Sequence, residues 1–281
     1  MVGMPSSASY DVHNPALALT IAGSEATGGA GAQADLKTFQ ELGTFGMVAL
    51  TCIVSFDPKD DWNHRFVPVQ PEVIAAQLEA IQADYAGTLK TTKLGMMGSP
   101  DTISTVATAL KNQDWDHVVL DPVLICKGQE PGHALDTDRA LSAELLPLAT
   151  FTTPNHFEAE QLSGLTIETV EDLQQAAQRI HEISGAVVLA KGGMKLDGPD
   201  AVDVFYDGET LEVLSVPKVG DHGVSGAGCS LAAAVTAELA KGATPLDAAR
   251  RAKDFVTAGI KQRVAGNTPF DALWQGGLRD A

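Results

Sequence analysis

Short apolar runs alternate with longer amphipathic segments through the first 190 residues, and this alternation limits the folds that the chain can adopt. The apolar runs are typical of buried strands, and the amphipathic segments repeat apolar residues with the period of a helix. Predicted strands cover residues 17–22, 47–56, 89–97, 117–123, 151–153 and 186–190. Predicted helices cover residues 28–43, 71–83, 100–111, 138–146 and 170–184. This order predicts an α/β fold with a mostly parallel central sheet and helices on both faces.

The pattern changes after residue 190. Residues 201–206 and 210–216 are alternating runs on either side of Asp207-Gly208, which is a strong hairpin signal. An antiparallel hairpin is therefore predicted near the C-terminal part. Helices are predicted at residues 226–241 and 245–264, whereas residues 267–281 have no clear period. Because the sequence contains no repeat, low-complexity segment or linker, residues 1–281 are predicted to form one domain with a core from about 17 to 264.

The net negative charge of the chain argues against two classes of binding partner. The sequence has 19 basic and 36 acidic residues and a net charge of −17, so neither nucleic acid nor an anionic membrane surface is expected to bind. No apolar run approaches the ~20 residues that a membrane helix needs. Residues 1–10 have no basic start, so they do not resemble a secretory signal. We therefore expect the protein to act on a small-molecule substrate.

The cysteines and histidines indicate neither a disulfide framework nor a transition-metal site. Cys52, Cys126 and Cys229 are odd in number and form no CxxC pattern. The seven histidines form no HxH or HxxxH pair. Reduced thiols and a cytoplasmic location are therefore predicted.

A run of small residues, Ser225-Gly226-Ala227-Gly228-Cys229, comes directly before a predicted helix. The first N–H groups of a helix have no partner within it, and together with the helix dipole they favour an anion such as phosphate. The same position should stabilise a thiolate, which predicts a lowered pKa for Cys229. A glycine-rich helix start with a cysteine packed as a small apolar residue is an equally good interpretation of this run alone.

A second glycine-rich turn, at residues 23–31, follows the first predicted strand and leads into a helix. It matches neither GxxxxGKS/T nor GxGxxG, so it supports neither an NTPase P-loop nor a dinucleotide site. Two such turns at the carboxyl ends of strands still indicate a ligand crevice between them. Asp35 lies in the helix after this turn, and on its own it is typical of a solvated helix carboxylate.

Charged residues follow three other predicted strands. Glu158 stands early in a helix after Thr153-Pro154-Asn155, and Asp121 ends the strand at residues 117–123. Either carboxylate can hold Mg²⁺ through water, although a carboxylate at a helix start more often only complements the helix dipole. Lys191 follows the strand at 186–190 and can place a positive charge beside a nucleotide phosphate.

Together these motifs resemble the ribokinase-like superfamily, specifically the bacterial hydroxymethylpyrimidine kinases and the similar pyridoxal kinases. The resemblance extends in order from about residue 17 to about residue 262. The residues that carry it are Leu19-Thr20-Ile21-Ala22-Gly23-Ser24, Gly28-Gly29-Ala30-Gly31, Gln33-Ala34-Asp35-Leu36-Lys37-Thr38-Phe39, Gly46-Met47, Lys93-Leu94-Gly95-Met96, Asp121-Pro122-Val123, Thr153-Pro154-Asn155, Glu158 and Gly226-Ala227-Gly228-Cys229.

The resemblance implies a ribokinase-like fold, a homodimer, and ATP-dependent phosphoryl transfer to a hydroxymethyl group on a pyridine or pyrimidine ring. It implies that Gly226, Ala227 and Gly228 form the anion hole and that Cys229 stands where most ribokinase-like enzymes have an aspartate base. The substrate residues it implies are Ser24, Asp35, Phe56, Met96 and Val123. The ATP-binding residues it implies are Asn155, Lys191, Lys195 and Gly228, with Glu158 and Asp121 holding Mg²⁺.

Three details favour the pyridoxal branch. The pyrimidine kinases usually have Gln-Asn where this chain has Phe56-Asp57, and the stretch from Asp57 to Trp62-Asn63-His64 resembles the pyridoxal kinases. Cys126-Lys127-Gly128, in the predicted lid loop, resembles them too. The predicted function is therefore phosphorylation of the 5-hydroxymethyl group of pyridoxal, pyridoxine or pyridoxamine.

Two alternatives remain open. The first is a kinase for hydroxymethylpyrimidine or its phosphate. The second is a non-catalytic protein that binds the vitamer, because the chain departs from the family pattern His-Gly-x-Gly-Cys. Ser225 stands in the position of that histidine, and His222 is the nearest residue that could replace it.

Overall fold

The computed structural model describes residues 13–124 and 131–279. The predictions about residues 1–10 and about Cys126-Lys127-Gly128 lie outside the described residues. The strands are β1 Ala16–Glu25, β2 Thr44–Asp57, β3 Asn63–Pro68, β4 Thr91–Leu94, β5 His117–Leu120, β6 Phe151–Thr152, β7 Val187–Gly193, β8 Asp200–Tyr206 and β9 Leu211–Pro217. The helices are α1 Gly31–Glu41, α2 Pro71–Asp84, α3 Pro100–Lys111, α4 Pro131–Ala140, α5 His156–Ser163, α6 Val170–Ser184, α7 Ala227–Ala240 and α8 Pro245–Lys261.

One sheet runs through the described residues in the order β3-β2-β1-β4-β5-β6-β7-β8-β9. The strands from β2 through β1, β4, β5 and β6 to β7 pair in parallel, and β8 and β9 add an antiparallel hairpin at one edge. This confirms the predicted α/β fold and its hairpin. The assignment of residues 1–281 to one domain stays a prediction.

The apolar core lies on both faces of the sheet, as alternate residues of β5 illustrate. Val118 and Leu120 belong to a cluster that contains side chains of α2 and α3, whereas Val119 belongs to one that contains side chains of α7 and α8. Successive side chains of a strand point to opposite faces, so helices cover both sides of this strand. None of the helices in the described ranges is long and apolar enough to span a membrane.

Strand β3 is the main element that sequence patterning missed, because no strand or helix was predicted over its residues. It pairs antiparallel with β2 at the edge of the sheet, with Ile53 opposite Val67. Asn63, Arg65 and Val67 are exposed, so the strand contains no apolar run. Edge strands in native proteins are often polar in this way.

Several boundaries also differ from the predictions. β4 ends at Leu94 and β5 at Leu120, so the last residues of both predicted strands lie in loops at the carboxyl edge of the sheet. The helix predicted at 138–146 begins earlier, as α4, and continues as a π-helical turn, Leu141–Leu145, and a 3₁₀ turn, Leu146–Leu148. The loops beyond β4 and β5 carry several of the predicted site residues.

Candidate active site

Two cavities open at the carboxyl ends of the parallel strands, and they meet at Cys229. The first has a volume of about 470 Å³ and is lined mainly by residues of β1, β2 and the loop after β4. The second has a volume of about 770 Å³ and is lined by the start of α5, the end of β7 and the start of α7. Val123, Gly223, Val224 and Cys229 line both. A group in either cavity can therefore approach the Cys229 sulfur.

The first cavity has an aromatic wall. The ring of Phe56 makes edge-to-face contacts with His64 and with Phe270, at centroid separations of 4.6 and 5.5 Å. Such contacts hold the rings in a defined orientation. Ser24, Phe56, Met96 and Val123, four of the five predicted substrate residues, line this cavity. The cavity thus offers a flat apolar surface of the kind that holds an aromatic ring.

Asp35, the fifth predicted substrate residue, is fully buried and does not line the first cavity. Its carboxylate accepts hydrogen bonds from Thr20 Oγ1 at 2.6 Å and from Lys93 Nζ at 2.9 Å. Burial raises the pKa of Asp35, and the neighbouring Lys93 ammonium opposes that rise. Lys93 itself lines the cavity, so the charge that this pair presents there is positive.

The glycine-rich turn at residues 23–31 binds a carboxylate of the chain itself. Glu25 accepts hydrogen bonds from the backbone N–H groups of Thr27, Gly29 and Ala30, at 2.6, 2.9 and 3.2 Å. These amides would otherwise be free to bind an anion, and Glu25 occupies them. The turn therefore shapes the first cavity and does not offer these amides to phosphate.

The glycine-rich run at residues 225–229 has backbone N–H groups that remain available to bind an anion. Gly226 immediately precedes α7 with φ +77°, and a Cβ at this position would lie 1.8 Å from the carbonyl oxygen of Gly29. Only glycine fits there. The N–H of Ser230 bonds the Gly226 carbonyl at 2.8 Å, so the N–H groups of Gly228 and Cys229, which lie earlier in the first turn, have no acceptor within the helix. With the helix dipole, they form an anion site at the wall of the second cavity.

The Cys229 thiol has a raised pKa, so the predicted lowering is wrong. Burial raises the pKa to about 11, because the surrounding protein stabilises a thiolate less well than bulk water does. The Lys93 ammonium and a hydrogen bond from the Gly31 N–H act in the opposite direction without overcoming burial. In the ligand-free protein Cys229 is therefore a neutral thiol at physiological pH.

The second cavity brings together all the residues that were predicted to bind ATP and Mg²⁺. Asn155, Glu158, Asp121, Lys191, Lys195 and Gly228 line it. Lys191 Nζ lies 3.2 Å from Asp121 Oδ1. Although burial opposes ionisation, the ammoniums of Lys191 and Lys93 hold the pKa of Asp121 below its usual value.

Glu158 also has a structural role. Its carboxylate accepts from the Asn155 N–H at 2.7 Å, and the Asn155 side chain accepts from the Glu158 N–H at 3.0 Å, which is a capping box at the start of α5. Burial raises the pKa of Glu158 to about 7, the Lys191 ammonium opposes this rise and the Asp121 carboxylate adds to it. A nearby cation would favour the charged form.

The donor set fits Mg²⁺ better than a transition metal. In the described ranges, no group of three or more His, Cys, Asp or Glu side chains could hold a metal ion. Mg²⁺ typically uses one or two carboxylates and completes its shell with phosphate oxygens and water. Asp121 and Glu158 in the same cavity supply that number of carboxylates.

Ser225 is held by the C-terminal segment of the chain. Its N–H donates to the Asp271 carbonyl at 2.9 Å, and its carbonyl accepts from the Leu273 N–H at 3.0 Å. The side chain of His222 is 60% exposed and bonded to Asp221 at 2.5 Å, and His222 lines the second cavity. His222 thus lies near the nucleotide side of the site.

Four charged or aromatic residues of the first cavity had no role assigned from the sequence: Glu25, His64, Lys93 and Phe270. Lys93 had a detectable signal, because it is a charged residue within the apolar run at 89–97. Phe270 had none, because it lies in the segment without a period. It reaches the site only because residues 264–274 fold back along Ser225 and Gly259.

Comparison with known proteins gives a consistent result. The family model for phosphomethylpyrimidine kinase matches residues 25–271. Pyridoxine kinase of Bacillus subtilis is 49% identical over 266 residues, which are 91% of this chain and 96% of that protein.

Two solved structures are similar over nearly their whole length. The ADP complex of Bacillus subtilis pyridoxal kinase has a TM-score of 0.89 and 46% identity, and the match covers 95% of this chain and 99% of that one. Pyridoxal kinase from Staphylococcus aureus in complex with AMP-PCP and pyridoxal has a TM-score of 0.86 and 39% identity, with 95% of each chain covered.

Proposed function

The chain belongs to the phosphomethylpyrimidine kinase family, and we propose that it is an ATP-dependent kinase that phosphorylates the 5-hydroxymethyl group of pyridoxal, pyridoxine or pyridoxamine. The observation that carries this proposal is the meeting of two cavities at Cys229, one with an aromatic wall and one at the start of α7. Relatives named pyridoxine kinase and pyridoxal kinase support the choice of substrate.

The reaction follows from this arrangement. The vitamer ring lies against Phe56 in the first cavity, and the ATP phosphates lie at the start of α7 in the second. The hydroxymethyl oxygen attacks the γ-phosphorus, the bond to the β–γ bridging oxygen breaks, and ADP leaves. The hydroxyl proton passes to the Cys229 sulfur in its thiolate form. The N–H groups of Gly228 and Cys229 stabilise the charge on the transferring phosphoryl group.

Charge neutralisation is shared between cations of the chain and Mg²⁺. Lys191 and Lys195 line the second cavity and face the phosphates. Asp121 and Glu158 would hold the metal. When bound, Mg²⁺ would neutralise charge on the β- and γ-phosphates. Phosphoryl transfer needs positioning and charge compensation more than covalent help, which fits the small number of reactive side chains in this site.

The family description also supports the second candidate, a kinase for hydroxymethylpyrimidine or its phosphate. Phe56 favours the pyridine substrates over this candidate. Its ring offers no hydrogen-bond acceptor to a pyrimidine amine, and an unpaired buried polar group costs roughly 1–3 kcal/mol.

The test is ADP release with pyridoxal, pyridoxine, pyridoxamine and hydroxymethylpyrimidine offered separately, and with no acceptor as the control. The expected result is a higher kcat/KM for the pyridine substrates. A higher kcat/KM for the pyrimidine would overturn the substrate assignment in favour of the second candidate. ADP release at the control level with all four would instead support a non-catalytic vitamer-binding protein.

Two further assignments accompany this function. We propose the homodimer that the family resemblance implies, and the exposed apolar pair Ile53 and Val67 on β2 and β3, 48% and 60% exposed, supports it. Light scattering at the mass of one chain would contradict the dimer. We also propose a cytoplasmic location, which the free thiols of Cys52 and Cys229 support. Recovery of the protein outside the cytoplasm on cell fractionation would contradict this location.

A further inference from the structure

Lys93 and Asp35 form an ion pair in the interior of the protein, directly beside the proposed substrate cavity. Both side chains are 0% exposed, and Lys93 Nζ lies 2.9 Å from Asp35 Oδ2. The same oxygen accepts a hydrogen bond from Thr20 Oγ1 at 2.6 Å. Buried ion pairs often add no net stability over an apolar pair of similar volume. Stability alone therefore does not explain this pair.

The ammonium of Lys93 is only partly satisfied by the protein. An ammonium has three N–H donors, and among the described residues Asp35 is the one hydrogen-bond partner found for the Lys93 ammonium. Lys93 lines the first cavity, as Cys229 does. Gly95 leaves space for the ammonium, because a Cβ there would lie 3.1 Å from Nζ. The ammonium therefore has donor capacity that Asp35 does not use, at the wall of the cavity.

Two cations, Lys93 and Lys191, and two carboxylates, Asp35 and Asp121, interact electrostatically with the Cys229 sulfur. Lys93 lines the first cavity together with Cys229, and Asp121 and Lys191 line the second cavity with it. Lys191 is bonded directly to Asp121, as Lys93 is to Asp35, so both cations are paired with a carboxylate. Lys93 has the largest effect among the groups that lower the pKa of Cys229. It is therefore the cation best placed to support a negative sulfur.

We propose that Lys93, held by the carboxylate of Asp35, stabilises the anionic sulfur of Cys229 and is a positioning residue for proton transfer. In the reaction, the thiolate takes the substrate hydroxyl proton and becomes a thiol while the oxygen forms its bond to phosphorus. Lys93 keeps its own proton throughout. This catalytic role rests on the proposed function, whereas the electrostatic coupling of Lys93 to Cys229 does not.

The coupling is measured by the rate at which iodoacetamide alkylates Cys229 between pH 7 and 10. Mass spectrometry of the Cys229 peptide separates this thiol from Cys52 and Cys126. In Lys93→Met we expect alkylation at pH 8.5 to be about tenfold slower, which corresponds to one unit of thiol pKa. The double variant Lys93→Met/Asp35→Asn keeps the interior neutral, and alkylation is also slower in it, because Lys93 affects the thiol more than Asp35 does.

A second buried ion pair provides the matched control. Lys253 Nζ lies 2.7 Å from Asp203 Oδ2, and neither residue lines the two cavities. Lys253→Met/Asp203→Asn therefore disrupts a similar pair, and alkylation of Cys229 remains at the wild-type rate. Circular dichroism checks that each variant is folded. If Lys93→Met fails to fold, the double variant decides the outcome.

Wild-type alkylation rates in both Lys93 variants would overturn the proposal, as would an equal fall in the Lys253 control. In kinetics, the Lys93 variants should lower kcat and move the rising limb of the pH profile to higher pH, with KM for ATP unchanged. A wild-type protein without kinase activity would refute the proposed function whatever the alkylation rates are. An active wild-type protein with unchanged alkylation in the variants would refute this inference alone.

Discussion

At Cys229, two physical effects act on one thiol in opposite directions. The start of α7 favours a negative sulfur through its dipole, whereas burial removes the water that would solvate the charge. Burial is the larger effect, and the pKa of Cys229 rises to about 11. The Cys229 thiolate is thus a strong base, but only a small fraction of the protein carries it at neutral pH. Its activity depends on neighbouring positive charge, which Lys93 supplies from the chain.

The base role of Cys229 can be tested by substitution. Cys229→Ala should lower kcat by about 10²–10⁴-fold with both pyridoxal and pyridoxine, because it removes the proton acceptor. Cys229→Asp should restore part of the activity. The wild-type rate should increase with pH from 7 to 9, since the thiolate fraction increases as pH approaches a pKa of about 11.

The aldehyde of pyridoxal, which pyridoxine lacks, makes it possible to test a second role for Cys229. A thiolate that only adds reversibly to the aldehyde of pyridoxal would leave pyridoxine unaffected in Cys229→Ala. Near wild-type kcat with both substrates in this variant would rule out either role.

Glu158 is proposed to act on the metal as well as on the helix cap. Glu158→Gln removes the charge while its amide oxygen can still accept from the Asn155 N–H, so α5 should remain capped. We expect lower turnover and a higher Mg²⁺ concentration for half-maximal activity. Mg²⁺ titration measures the change, and thermal unfolding checks the cap. An unchanged Mg²⁺ dependence would argue against Glu158 as a metal ligand.

At the scale of elements, the start of α7 depends on one glycine. Gly226→Ala puts a Cβ on a residue with φ +77°, 1.8 Å from the Gly29 carbonyl oxygen. A non-glycine residue in this region costs of order 1–3 kcal/mol before the overlap is counted. We expect a lower free energy of unfolding in urea and a large loss of kcat, because the backbone must shift at the anion site.

Gly242 provides the control for this prediction. It follows α7 at its other end, with φ +86° and nothing within 4 Å of an added Cβ. Gly242→Ala should lower the free energy of unfolding by about 1 kcal/mol and leave kcat unchanged. Equal losses of kcat in the two variants would show that helix strain alone, rather than the anion site, explains the effect.

The C-terminal segment contributes a second element to the site. Phe270 packs against Phe56 across the first cavity, so Phe270→Ala should raise KM for the vitamer several-fold and leave KM for ATP unchanged. Val264→Ala is the matched control, because this residue is in the same segment, is exposed and lies outside both cavities. Equal changes in KM for ATP and vitamer would contradict an assignment to the substrate cavity alone.

The accuracy of the sequence-based prediction varied between elements for identifiable reasons. Buried strands such as β1 carry continuous apolar runs, whereas β3 is an exposed edge strand and was missed. Apolar residues also occur in loops, as Met97 and Val123 do, so β4 and β5 were predicted too long. The glycine-rich start of α7 was recognisable because a backbone anion site requires several consecutive small residues.

Other parts of the site depend on residues that are distant in sequence. Lys93 meets Asp35 across 58 positions, and Phe270 meets Phe56 from the opposite end of the chain. The pKa of Cys229 depends on how much water surrounds the sulfur. A local motif contains no information about that burial, so the predicted direction was wrong.

At the scale of the whole molecule, one sheet brings its carboxyl-end loops together around two cavities. The chain carries a net charge of −17, yet Lys93 lines the first cavity and Lys191 lines the second, and the two cavities meet at Cys229. An acidic protein that binds a polyanion needs such local cations and a metal. This distribution predicts a strict requirement for a divalent cation.

Identification of the reaction products tests the central claim most directly. The purified protein is incubated with ATP, Mg²⁺ and pyridoxine, and the products are analysed by mass spectrometry and phosphorus NMR. The account predicts one 5-phosphorylated pyridoxine for each ADP formed, with both products lost in Cys229→Ala. ADP formed without phosphorylated pyridoxine, or phosphorylated pyridoxine formed at an undiminished rate by Cys229→Ala, would contradict it.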